Sequence, residues 1–121
     1  MPDEYRFLVF SPEEAAAALT GQAEKTGKAL PAGRPISAEP VGEKVNNGRL
    51  LVDTGDGPPS VVPFGSDEVL EALIGFCLDR RIPMPMVSEK TLERLNGRFT
   101  LRIGQVDSID FQMRTHAPKS R

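Results

Sequence analysis

A chain of 121 residues with 39% hydrophobic and 26% charged residues is long enough to bury one core and too short for two ordinary ones. A formal charge of -2 leaves no global attraction to nucleic acid or to an anionic membrane surface, so any such contact has to be local. A single cysteine, Cys77, excludes an intramolecular disulfide, and with only one histidine there is no thiol and imidazole cluster for a structural zinc.

The polar start Met1-Pro2-Asp3-Glu4-Tyr5-Arg6 and the lack of any run approaching roughly 18 apolar residues predict a cytoplasmic chain with neither leader nor membrane span. Tyr5 to Phe10 is mostly apolar and β-prone and predicts a strand. It runs into Ser11-Pro12-Glu13-Glu14, where Ser11 suits a helix cap, Pro12 the first helical position and Glu14 the far end of a capping box. The helix is expected over residues 12–20, because Thr20-Gly21 weakens it and Lys25 to Pro35 reads as a polar connection punctuated by glycine and proline.

From Ile36 to Phe64 the pattern changes to short β-prone runs between turn signals. Asn46-Asn47-Gly48, set between Glu43-Lys44-Val45 and Arg49-Leu50-Leu51-Val52, predicts a hairpin turn, since both residue types accept positive φ. A second turn at Gly55-Asp56-Gly57-Pro58-Pro59 leads to Ser60 through Phe64, completing a three-stranded meander.

Ser66 is expected to cap a helix from Asp67 to about Arg80, with Asp67, Glu68 and Glu71 near its positive end and Arg80-Arg81 near its negative end. Its apolar residues cover about 200° of the helical wheel, wider than one simple stripe, so the helix is either the centre of the core or meets a partner on one flank. Ile82-Pro83-Met84-Pro85-Met86 cannot continue that helix and reads as an extended strap. Thr91 to Leu95 has helical spacing of its leucines, but the Asn96-Gly97 turn that follows favours a hairpin with Arg98 to Ile103. There Phe99, Leu101 and Ile103 alternate with Arg98, Thr100 and Arg102. Ile109, Phe111 and Met113 alternate as a last strand, and Thr115 to Arg121 reads as a disordered tail. The fold expected is one α+β domain over residues 1–114, with a mostly antiparallel sheet of about five or six strands. A main helix at 67–80 and a shorter one at 12–20 cover it.

Two stretches look alike: Phe10-Ser11-Pro12-Glu13-Glu14 and Phe64-Gly65-Ser66-Asp67-Glu68 each lead from an apolar strand through a cap into an acidic first turn. Capping chemistry alone accounts for this, although two strand-to-helix units sharing a sheet would also produce it.

Leu50-Leu51-Val52-Asp53-Thr54-Gly55 is similar to the active-site signature of retroviral-type aspartic peptidases, and Ala72-Leu73-Ile74-Gly75 resembles that family's second motif. The resemblance implies a dimer pairing two Asp53 carboxylates around a water. The 20 residues between Asp53 and Ile74 are too few for the flap and strands that such a fold places there, and Asp56 stands where a small or apolar residue is usual. Read by itself, Asp53 ends a strand and opens a polar turn. A calcium loop beginning at Asp53 would need a bidentate glutamate at position 64, which is Phe64. His116 lies in the expected tail and Cys77 on an apolar helical flank, so neither reads as a nucleophile or base.

Charge is unevenly spread. Residues 80–102 hold six basic and two acidic side chains, whereas residues 1–60 hold six basic and nine acidic ones. Arginine forks suit phosphate or carboxylate, but stacking aromatics are scarce, with no tryptophan and one tyrosine. Met84 and Met86, set between prolines, combine a stiff backbone with soft side chains suited to docking or to closing the core. The reading that follows is a non-enzymatic protein-binding or regulatory module, working with a protein partner or by self-association as a homodimer. Its expected contact residues are Arg80, Arg81, Met84, Met86, Arg98 and Arg102. No residue is assigned a catalytic role, and neither metal nor cofactor is expected. The alternative is an anion or nucleic-acid binder using Arg80, Arg81, Arg98 and Arg102, and the third reading is the dimeric peptidase using Asp53.

Overall fold

A computed structural model describes residues 4–42, 47–83 and 88–105. Met84 and Met86, the strand expected around Ile109 to Met113, and the tail with His116 lie outside the described residues. In chain order the elements are β1 (Glu4–Val9), α1 (Pro12–Thr26), β2 (Arg34–Val41), β3 (Asn47–Asp53), β4 (Ser60–Phe64), α2 (Ser66–Asp79), β5 (Ser88–Leu95) and β6 (Arg98–Gln105).

The fold is α+β, as the alternation of strand and helix signals predicts, but the strands form two sheets instead of one. One sheet has the order β1-β6-β5 and the other β2-β3-β4, all neighbours antiparallel. Proline chemistry accounts for the division. The edge strands of the meander carry Pro35 and Pro40 on β2 and Pro63 on β4, and proline has no N–H to extend a ladder. β1 and β4 therefore lie in different sheets, so the two similar strand-to-helix stretches share capping chemistry and not a sheet.

α1 begins with the expected capping box: Glu14 N donates to Ser11 Oγ at 3.0 Å, and Ser11 N donates to Glu14 Oε1 at 2.9 Å. The helix does not stop near residue 20. Thr20 Oγ1 donates to Ala16 O at 2.8 Å, and the buried face of Ala15, Ala16, Leu19 and Ala23 runs straight past Gly21. Burial of that face outweighs the modest propensity cost of Thr20-Gly21. The stop is Gly27, at φ 76°, followed by Lys28 N donating back to Ala23 O. α1 is thus as long as α2, and the expected ranking of a main and a shorter helix is corrected.

α2 is entered differently from the expectation. Gly65 holds the cap position and Ser66 is already helical; Gly65 N donates to Glu68 Oε1 at 2.8 Å. Val69, Ala72, Leu73, Phe76 and Cys77 are buried, with Leu70 and Ile74 half-buried against the core. Most of the wide apolar arc is consumed by the fold, because α2 meets α1 as well as β3 and β5, and Leu78 stays exposed. Its C-terminus closes in a Schellman arrangement: Ile82 N donates to Cys77 O at 2.9 Å and Arg81 N to Leu78 O at 3.1 Å, with Arg81 left-handed at φ 57°. A left-handed arginine costs about 1 kcal/mol that glycine avoids. Arg81→Gly is therefore expected to raise the urea midpoint by an amount worth about 0.5–1 kcal/mol, the gain being trimmed by the looser unfolded chain. A lower midpoint would show that the Arg81 side chain contributes more than its backbone strain removes.

Asn47-Gly48 is not the expected turn but the start of β3, where Gly48 pairs with Pro40 on one side and Phe64 on the other. The glycine is needed for closeness: a Cβ there would stand 2.6 Å from Phe99 Cζ of β6. The 95–98 connection is a two-residue hairpin, with Leu95 paired to Arg98 and both Asn96 and Gly97 at positive φ, 53° and 73°. That resolves Thr91 to Leu95 as strand. Among the described residues one core unites the layers, with Leu19, Leu50, Leu73, Phe99, Leu101 and Ile103 among its fully buried members.

Candidate binding surface

β6 is the middle strand of the β1-β6-β5 sheet, so both of its edges are paired and only its two faces are left to meet the core or the outside. Phe99, Leu101 and Ile103 point into the core, alongside Leu8 of β1 and Leu92 of β5, which stand opposite Leu101. Strand parity sends the alternate residues to the outer face. That face carries Phe7 and Val9 from β1, Arg98, Thr100 and Arg102 from β6, and Thr91, Glu93 and Leu95 from β5.

Its composition is unusual for a solvated sheet face. Phe7 is 51% exposed, Val9 46% and Leu95 39%. Phe7 stands beside Arg102, Val9 beside Thr100, and Leu95 beside Arg98, so each apolar side chain has a polar neighbour in register. Thr100, in the middle, is completely buried. Arg102 Nε lies 3.5 Å from Glu93 Oε2, an ion pair between adjacent strands. Arg98, at the hairpin, is exposed. Two of the expected contact residues thus share one face, together with apolar residues that periodicity had not grouped with them.

Two more, Arg80 and Arg81, lie at the end of α2, and Met84 and Met86 are outside the described residues. The guanidinium carbon of Arg80 sits 3.9 Å from the centroid of the Phe76 ring, a cation–π contact, and Arg81 occupies the left-handed position that closes the helix. Arg94, part of the same basic stretch, points to the inner side, where its Nη2 donates to Val41 O at 3.1 Å and its Nη1 to Gly42 O. It ties β5 to the end of β2 across the two sheets. The basic segment is therefore divided between helix end, inner clamp and outer face, which strand and helix parity could suggest only once the 88–95 segment was known to be a strand.

Asp53 occupies the place that the turn reading assigns it: its Oδ1 accepts a hydrogen bond from Gly55 N at 3.0 Å, closing an Asx turn after β3. Cys77 is fully buried, and burial pushes its thiol up, against a smaller downward pull from Arg6. Lys28 anchors the β4–α2 junction. Its ammonium donates to Pro63 O at 2.7 Å and to both Glu68 oxygens at 3.2 Å, and lies 3.9 Å from the centroid of the Phe64 ring. The Gly65 amide, opposed by burial and helped by Lys28, holds the Glu68 carboxyl below its ordinary value. A cleft of about 540 Å³ between α1 and β2 is lined by small α1 residues, with Glu13 and Glu24 on one wall and Arg34 on the other. The sequence reading did not anticipate it, because α1 was expected to end before Gly21 and Glu24. Among the described residues no group of three or more His, Cys, Asp or Glu side chains could hold a metal ion, and no helix is long and apolar enough to cross a membrane.

Comparison of the chain with protein-family models, with characterised proteins and with solved structures finds no match.

Proposed function

We propose that the protein is a non-enzymatic protein-binding module that docks its partner on the outer face of the β1-β6-β5 sheet. The observation that carries this reading is the placement of three large apolar side chains, Phe7, Val9 and Leu95, half-exposed on the same face as Arg98 and Arg102. Fully burying such a side chain from water is worth roughly 1.5–3 kcal/mol, so three that are already about half-buried each have about half of that to gain from a cover. Arg98 sets the chemistry of the cover: a segment with apolar side chains flanked by a carboxylate, which an arginine fork can bind. Cys77, buried and unpaired, suits a reducing, cytoplasmic setting.

The test is capture of partners by the immobilised chain, run in parallel with two variants. Leu95→Lys places a charge in the face, and Val61→Lys places one at a more exposed apolar site, 55% against 39%, on β4 of the other sheet. The expected result is a partner retained by the wild type and by Val61→Lys, lost with Leu95→Lys, and held in high salt because apolar burial dominates. Retention that ignores the Leu95 substitution, or that collapses with salt, would move the function away from this face.

A further inference from the structure

The outer face of the β1-β6-β5 sheet is dry along its middle strand and wet on its flanks. Thr100 is 0% exposed and Gly104 is buried, while Phe7, Val9 and Leu95 stand partly in water. Among the described residues, α1, α2 and β2 meet this sheet, and they meet it on the core side, where Phe99 lies against Gly48. The strand that runs down the middle of the outer face also leads straight into the C-terminal segment. β6 ends at Gln105, opposite Glu4 and Ser88, and sixteen residues, 106–121, follow it. At about 3.3 Å per residue that segment can reach roughly 50 Å, whereas the face from Gln105 back to Arg98 measures roughly 23 Å.

We infer that residues 106–113 fold back over this face in the same molecule, an intrachain cover that an outside partner has to displace. The inference rests on the reading of the face as the docking surface and adds its regulation. The chemistry of the segment is that of the cover the face calls for: Ile109, Phe111 and Met113 recur at a two-residue spacing, with the carboxylates of Asp107 and Asp110 among them. The tether brings it to the right place. A turn over 106–108 spans the roughly 10 Å between a sheet and a layer packed on it. Chain returning along β6 then brings Ile109 near Gly104, which has no side chain in the way, Phe111 near the row of Phe7 and Arg102, and Met113 near the row of Val9 and Thr100. Asp107 and Asp110 fall at the Arg102 end, where a guanidinium fork suits a carboxylate. A tether this short holds the segment at an effective concentration on the order of millimolar, ahead of a partner or a second copy at lower concentration. Adding the segment as a further strand at the β1 edge would instead leave the Phe7 and Val9 side chains in water.

The experiment is nuclear magnetic resonance of the isotope-labelled full chain, for the wild type, Phe111→Ser and Val9→Lys, with circular dichroism to confirm folding. In the wild type the Phe111 ring protons are expected to show through-space contacts with the Val9 methyl groups. Val9→Lys is expected to move the amide signals of 106–113 to the positions of unstructured chain. A synthetic peptide with the sequence of residues 106–114 probes the uncovered face. Added to Phe111→Ser, it is expected to half-saturate the Phe7, Val9 and Thr100 signals at about a tenth of the concentration that the wild type needs, the ratio for a face covered in about nine of ten molecules. Absence of the Phe111–Val9 contact, amide signals of 106–113 that ignore Val9→Lys, or equal peptide binding by wild type and Phe111→Ser overturns the inference. Partner capture that depends on Leu95 in a chain lacking the Phe111 contact would sink the cover alone and leave the proposed function standing. A cover that passes these tests, with no partner retained even by Phe111→Ser, would sink the proposed function and leave the cover.

Discussion

Phe99→Ala should lower the unfolding free energy by about 3–5 kcal/mol, the range found when a large aromatic is cut from a packed core. The side chain is 1% exposed and belongs to β6, yet its ring tip lies over Gly48 of β3, so it is shared by both sheets. Removing it leaves a void bounded by two layers that are each held by their own ladders, which limits how far they can collapse together. A domain of this size is stable by about 5–15 kcal/mol, so the variant would lie close to the point where a measurable fraction is unfolded at room temperature. Urea unfolding followed by circular dichroism checks this. A loss below about 1 kcal/mol would mean that the two sheets do not depend on a common core.

The parts of this architecture that could be read from sequence are those whose signals are local. Ser11-Pro12-Glu13-Glu14 carries its whole capping box within four residues, and the Asn96-Gly97 hairpin is enforced by two consecutive left-handed residues. The alternation of Phe99, Leu101 and Ile103 likewise identifies an inward face without knowledge of what covers it. What could not be read depended on distant partners. Thr20-Gly21 looks like a helix stop until Leu19 and Ala23 are seen to be buried on either side of it. Asn47-Gly48 looks like a turn until Phe99, half the chain away, is seen to need the missing side chain. The division into two sheets lay in the prolines at positions 35, 40 and 63, which read as punctuation in a linear pass and act as edge guards in the fold.

The candidate site was legible to the same degree. Arg98 and Arg102 could be placed on one face by parity alone, and they are. Their apolar companions Phe7 and Val9 come from β1, about three-quarters of the chain away, and only the pairing of β1 with β6 brings them there. Most of the apolar arc of α2 faces α1 and the strands, as a helix at the centre of the core requires, and Leu78, 63% exposed, is the large apolar residue that α2 leaves in water.

Gly48→Ala is expected to cost about 1–3 kcal/mol, the range for overfilling a packed site, even though alanine ordinarily suits a strand better than glycine does. The added methyl would meet Phe99 Cζ at 2.6 Å and Val69 Cγ2 at 3.2 Å, and both neighbours are themselves buried, so neither can swing into solvent. The backbone offers no relief, since Gly48 is held in the ladder by Pro40 and Phe64 on its two sides. If the clash with the ring is the cause, shortening the ring should remove it. Phe99→Leu alone costs stability by leaving space over position 48; Gly48→Ala added to it fills part of that space, so the double variant should be more stable than the sum of the two losses by about 0.5–3 kcal/mol. Strict additivity in urea unfolding would place the origin of the Gly48 effect in the strand backbone, and the contact between Gly48 and Phe99 would then not be what joins the two sheets.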